Sequence, residues 1–422
     1  LPQQDSIGLP GCPGSNNAEM FYMLAPDPGG SINGNTRTAD YVRESTLSTT
    51  AHEFQHLINA SRRIYVNDAF DLEESWLDEG LAHIAEELNF YANAPGTGPG
   101  ENVSQQTIFR SNAILGTFNE YGIDNVGRFA EYLDAPPKWG PYADNDSLAT
   151  RGAAWSFLRY AADRKGGNQQ QLWFSLVNSR QSGLANIAAI FAIDPLAWVR
   201  DWTVANYTDD AVAGIAAQYT QPSWNFRDLF TNRGLGGVYP LATVPLTSGA
   251  TQNLTIHSGS AAYLRFGVAG GSQAGVQLGV PGAAAPASCT PVALTVGQVY
   301  QAGPADASSL CVAGGSGGSE YVLIPFHAST ALEAQLAVNV TASNVVPVTG
   351  GPSPSRSPAF SRSLAAVQTA ADGFRTDDGG WERSLRLRER REFGARLHRG
   401  GTGARFQAAA TSALSFSLVR TR

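Results

Sequence analysis

The stretch Leu47-Ser48-Thr49-Thr50-Ala51-His52-Glu53-Phe54-Gln55-His56-Leu57-Ile58 decides how this chain is read. Leu47, Ala51, Phe54 and Ile58 recur at helical spacing and predict one apolar helix face. His52 and His56 stand one turn apart on a neighbouring face, which places their Cβ atoms about 5–6 Å apart. Two imidazoles at that separation can close on one zinc ion, with Zn–N distances of about 2.0–2.1 Å. Glu53 follows His52 directly and is angled off the histidine pair. From there it can reach a metal-bound water instead of ligating the metal.

A catalytic zinc usually takes three protein ligands and one water, so two histidines leave the site incomplete. In the metzincin arrangement a further His would follow His56 by six residues, with a Gly between. Arg62 and Asn59 hold those positions, so that arrangement fails. The next candidate lies in Glu74-Ser75-Trp76-Leu77-Asp78-Glu79-Gly80-Leu81-Ala82-His83. Leu77, Leu81, Ile84 and Leu88 predict the apolar stripe of a second helix, with Glu79, His83 and Glu86 as a polar stripe beside it. Residues 57–78 leave room for the first helix to end, a loop to turn and the second helix to return.

These two segments resemble the gluzincins, H-E-x-x-H peptidases whose third ligand is a Glu on a later helix. Trp76-Leu77-Asp78-Glu79-Gly80-Leu81-Ala82 is similar to their W-L-x-E-G-x-A signature. The flanking text, residues 51–63 and 74–87, looks most like the hyicolysin-type bacterial neutral metallopeptidases. The resemblance covers residues 18–90, is weaker to about 235, and is absent beyond. It implies His52, His56 and Glu79 as ligands of Zn2+ and Glu53 as general base. The expected activity is that of a secreted zinc endopeptidase acting on proteins or peptides. His83, one turn past Glu79, is either a partner that orients a ligand histidine or a surface histidine. Glu73, Glu74, Glu86 and Glu87 read as a solvated acidic helix face.

Composition sets outer limits. The 422 residues predict two or three domains, and 43% hydrophobic content suffices for sizeable cores. A net charge of −7 argues against nucleic acid as a partner. No apolar run reaches membrane-spanning length, because 184–199, the longest candidate, is broken by Asp194 and Pro195. The chain begins at Leu1 and reads as a processed or truncated product; its oligomeric state is left open. Of the three cysteines, Cys289 and Cys311 flank two expected strands and could close a disulfide, leaving Cys12 over.

The expected fold is α+β. A zincin-like catalytic domain with a helical second lobe occupies 1–235, a small all-β sandwich-like domain 246–346, and a linker with an Arg-rich basic tail 347–422. Residues 19–25 read as a strand lining the substrate cleft, though zincin N-terminal lobes normally carry several strands there. Helical spacing recurs at 108–118, 126–133, 151–164, 169–178 and 195–207. A peptidase also needs a group that stabilises the oxyanion. Tyr142 is the first candidate and Arg151 the second. His257 and His327, far from the zinc motif in sequence, read as structural. Residues 381–399 predict a solvated helix, and 413–419 a final strand, expected to pair near 20–25. Two other functions stay open: a zinc aminopeptidase, which lacks a motif to anchor a free amine, and a silent zincin-fold binding or adhesion protein, which the intact Glu53 argues against.

Overall fold

The computed structural model describes residues 21–348, apart from 22 and 33, and residues 412–422. Helices come first. They are α1 (Ala39–Ser61), α2 (Ser75–Asn93), α3 (Gln105–Ile108), α4 (Asn112–Tyr121), α5 (Ile123–Asp134), α6 (Leu148–Lys165), α7 (Gln169–Val177), α8 (Gly183–Phe191), α9 (Pro195–Thr208) and α10 (Phe226–Thr231). Each stretch of expected helical spacing falls on helix, and the first is split into α3 and α4 around residues 109–111. No single helix among the described residues is long and apolar enough to cross a membrane.

Local chemistry sets the ends of the two motif helices. The Thr38 hydroxyl accepts from the Tyr41 N–H and caps α1. At its other end α1 runs into a π-helical turn, Arg62–Val66. That turn carries the Arg63 side chain inward, where it donates to the Glu73 carboxylate and to the Gln181 and Ser179 carbonyls. Glu73 then accepts from the backbone N–H groups of Glu74 and Gly183 and from Asn186, which fixes the start of α2.

Two glycines let the helices approach closely. A Cβ on Gly80 of α2 would stand 2.8 Å from Leu158 of α6, and one on Gly152 of α6 would stand 2.2 Å from the Arg128 carbonyl carbon of α5. Backbone contact at Gly152 brings α5 and α6 together behind the motif helices.

Among the described residues the strands follow in two five-stranded sheets. They are β1 (Val244–Pro245), β2 (Thr251–His257), β3 (Leu264–Val268), β4 (Gln273–Gly279), β5 (Thr290–Val292), β6 (Val299–Ala302), β7 (Ala307–Ala313), β8 (Ser319–Ser329), β9 (Gln335–Ser343) and β10 (Ser412–Arg420). One sheet has the order β1-β3-β8-β10-β6 and the other β2-β9-β4-β7-β5. The fold is therefore α+β, with the sheets facing each other and the helices against the outer face of the first. Strand β8 shows why: Val322, Ile324 and Phe326 join the helical core, while Tyr321 and Leu323 join the core between the sheets. Both faces are covered, so the strand is apolar almost throughout instead of alternating. Cys289 and Cys311 close a disulfide beside the parallel pair β5–β7. His327 is buried between the Ile256 carbonyl and the Ser412 hydroxyl, a structural role.

Several expectations are corrected. Residues 21 and 23–26 form no strand and pair with no strand among the described residues; the Phe21 ring stands 6.4 Å from Phe54. Residues 19, 20 and 22, like Cys12 and 381–399, lie outside the described residues. The apolar face of α1 is only half used. Ile58 packs on the core, whereas Leu47 and Phe54 are 49% and 54% exposed, since α2 covers a different side of α1. The final strand does not pair near 20–25. It enters the first sheet between β8 and β6, with Leu418 opposite Leu323 and Tyr300.

Candidate metal centre

Helices α1 and α2 bring His52, His56 and Glu79 together, with one ligand atom from each lying within 4.8 Å of the others. His52 Nε2 is 3.2 Å from Glu79 Oε2, and His56 Nε2 is 3.9 Å from Glu79 Oε1. Neighbouring ligands of a tetrahedral zinc with bonds of about 2.0 Å lie roughly 3.3 Å apart, close to this spacing. His52 and Glu79 are buried and His56 is half-buried, so the trio sits at the edge of the protein interior.

The opposite ring nitrogens are also engaged. His52 Nδ1 lies 2.9 Å from Glu86 Oε1, and His56 Nδ1 lies 2.9 Å from Asp78 Oδ2. A carboxylate at Nδ1 keeps the proton there and turns the Nε2 lone pair outward, toward Glu79. Asp78 is itself held by Asn59, whose amide donates to Oδ1 at 2.6 Å. Both carboxylates come from α2, one residue before Glu79 and seven after it. This donor set, two oriented imidazole nitrogens and one carboxylate, fits zinc.

Electrostatics agree with the geometry. Burial opposes charge on Glu79, but Arg151, the His52 hydrogen bond and His56 hold its carboxyl well below the usual range. Burial would lower the His56 pKa, yet the charge and hydrogen bond of Asp78, with the charges of Glu79 and Glu53, push it up to about 10. The cluster of Asp78, Glu79 and Glu53 around His56 therefore favours positive charge. Glu53 is exposed on α1, near enough to His56 for its charge to be felt.

The structure separates the oxyanion candidates. Tyr142 is fully buried against Trp76, and its hydroxyl donates to the Ser329 carbonyl at 2.6 Å, so it is committed to packing helices on the sheet. Arg151, at the start of α6, reaches the centre: its Nη1 is 2.8 Å from Glu79 Oε2, and Asp146 anchors the guanidinium through Nε and Nη2. His83 is not at the surface; it lies buried behind His52, with ring centroids 4.7 Å apart.

The acidic face expected on α2 is also corrected. Glu73, Glu86 and Glu87 are buried, because each meets an arginine: Arg63, Arg128 and Arg159. Glu74 is half-buried and accepts from the Trp76 indole. Sequence reasoning missed Asp78 and Glu86 as partners of the histidines. Their signal was faint: carboxylates on the same helix as Glu79, one of them inside the Trp76–Ala82 phrase.

No family model matches the chain, and no solved structure matches it. Over 128 residues the chain is 34% identical to the neutral metalloprotease ShpI of Staphylococcus hyicus. That stretch is 29% of this chain and 28% of the relative, so the match spans little more than a quarter of either. Over it, the chain is similar to a metalloprotease.

Proposed function

We propose that the chain is a zinc-dependent endopeptidase, with His52, His56 and Glu79 as zinc ligands and Glu53 as general base. The observation that carries this reading is the convergence of two Nε2 atoms on the Glu79 carboxylate, each ring braced at Nδ1 by its own carboxylate. Bound zinc supplies a Lewis acid for the peptide carbonyl and lowers the pKa of a coordinated water toward about 7. The residues of the chain do the rest. Glu53, exposed beside His56, accepts the proton of the attacking water and returns it to the leaving amine. Arg151, fixed by Asp146 against Glu79, is the cation best placed to stabilise negative charge developing on the carbonyl oxygen.

Similarity to a neutral metalloprotease supports peptide-bond hydrolysis over a silent binding role, and the intact Glu53 does so as well. The Cys289–Cys311 disulfide supports secretion, since such bonds persist in oxidising compartments. The test is zinc content by atomic absorption together with hydrolysis of casein. One zinc per chain and chelator-sensitive cleavage inside the substrate are expected. Release of single N-terminal residues only would indicate an aminopeptidase, and zinc without any hydrolysis a silent scaffold.

A further inference from the structure

Behind His52 lies a second compact group, His52, His83 and Glu86, whose ligand-capable atoms also fall within 4.8 Å of one another. It is completely enclosed. Arg128 of α5 enters it, with Nη1 3.4 Å from Glu86 Oε2, 3.4 Å from His83 Nδ1 and 3.0 Å from Asn125 Oδ1. A guanidinium in contact with both remaining members already fills the place of a cation, so this group is not a second metal site. Glu86 Oε1 lies 2.9 Å from His52 Nδ1 and 3.3 Å from His83 Nδ1, and Oε2 faces Arg128.

We propose that Arg128 is a positioning residue of the metal centre: through Glu86 it fixes the His52 ring so that Nε2 points at Glu79. The inference rests on the zinc-centre reading above. Glu86 can brace His52 only while its carboxylate is held in place, and a buried carboxylate whose second oxygen had no partner would turn away from the ring. Arg128 supplies the charge and Asn125 holds Arg128; the Asn125 amide also donates to the His83 carbonyl of α2 at 3.1 Å. Gly152 completes the arrangement, because α6 leaves no room for a side chain where it touches the Arg128 backbone. His83 fills the space between, its ring centroid 4.7 Å from that of His52 and its Nδ1 3.3 Å from Glu86 Oε1.

The test measures zinc affinity by chelator competition, and the visible spectrum of the cobalt-substituted full chain, in Arg128→Met, Arg128→Lys and Glu86→Gln. Thermal melting of each zinc-free variant is recorded alongside. Arg128→Met and Glu86→Gln are expected to weaken zinc binding by roughly 10–100-fold and to change the cobalt spectrum. Arg128→Lys, which keeps the charge, should recover much of the affinity. A merely structural role would lower the melting temperature and leave affinity and spectrum of the folded protein unchanged, and that result overturns the proposal. If Arg128→Met does not fold, parental affinity in Glu86→Gln overturns it equally. Failure of the zinc-centre reading looks different, because the parent protein itself would then bind no zinc.

Discussion

Arg151 Nη1 lies 2.8 Å from Glu79 Oε2, the same oxygen that stands 3.2 Å from His52 Nε2. One carboxylate thus links the histidine pair to a guanidinium that Asp146 holds from the far side. If Arg151 serves the reaction and not only Glu79, Arg151→Ala should lower kcat by about 10²–10³-fold, the cost of losing one oxyanion donor. Zinc content should change little. Steady-state kinetics on a peptide, with metal analysis of the same preparation, separate the two roles; an unchanged kcat would remove Arg151 from the chemistry.

Glu53→Gln preserves size and leaves all three ligands in place. Zinc should remain bound while casein hydrolysis falls by on the order of 10² or more. A variant that digests casein at the parental rate would mean another group takes the proton.

Glu79→Ala removes the carboxylate that both Nε2 atoms face, so zinc occupancy after dialysis and activity should fall together. His83 cannot substitute, because it approaches the Nδ1 side of His52 through Glu86, away from Nε2. Full zinc retention in dialysed Glu79→Ala would show that the third ligand is elsewhere.

Asp209, at the end of α9, yields a prediction about pH. Burial and the neighbouring Asp210 charge push its carboxyl up to about 7 from the ordinary 3.8, despite hydrogen bonds and Arg227 that pull it down. Between those values the folded protein holds a proton that the unfolded chain has lost. Stability therefore declines as pH rises through that window, by at most about 4 kcal/mol before solvent screening. Asp209→Asn removes the effect. Its melting-temperature advantage over the parent should be flat below about pH 4, grow to about pH 7 and level off; a difference independent of pH would refute this.

Leu418 is wholly buried between the sheets, although it belongs to the last strand of the chain. Leu418→Ala should cost about 2–5 kcal/mol in denaturant unfolding, the usual range for a core leucine. A loss under 1 kcal/mol would mean β10 is not needed in the sheet.

The amino-acid sequence alone determined what depends on near neighbours. Spacing of four residues put His52 and His56 on one turn, and the Trp76–Ala82 phrase marked Glu79 on a helix. Apolar periodicity located most later helices, and Cys289 and Cys311 were readable as a pair. Only the tertiary structure decided what depends on distant segments meeting. Glu73, Glu86 and Glu87 look like a solvated face in sequence, and they are buried because Arg63, Arg128 and Arg159 arrive from other elements to neutralise them. Tyr142 and Arg151 are equivalent by position, yet one packs on the sheet and the other reaches Glu79. Strand β10 carries no mark of its partner, since strand pairing is set by which backbone hydrogen bonds and which apolar faces remain open. In this chain those belonged to β8 and β6.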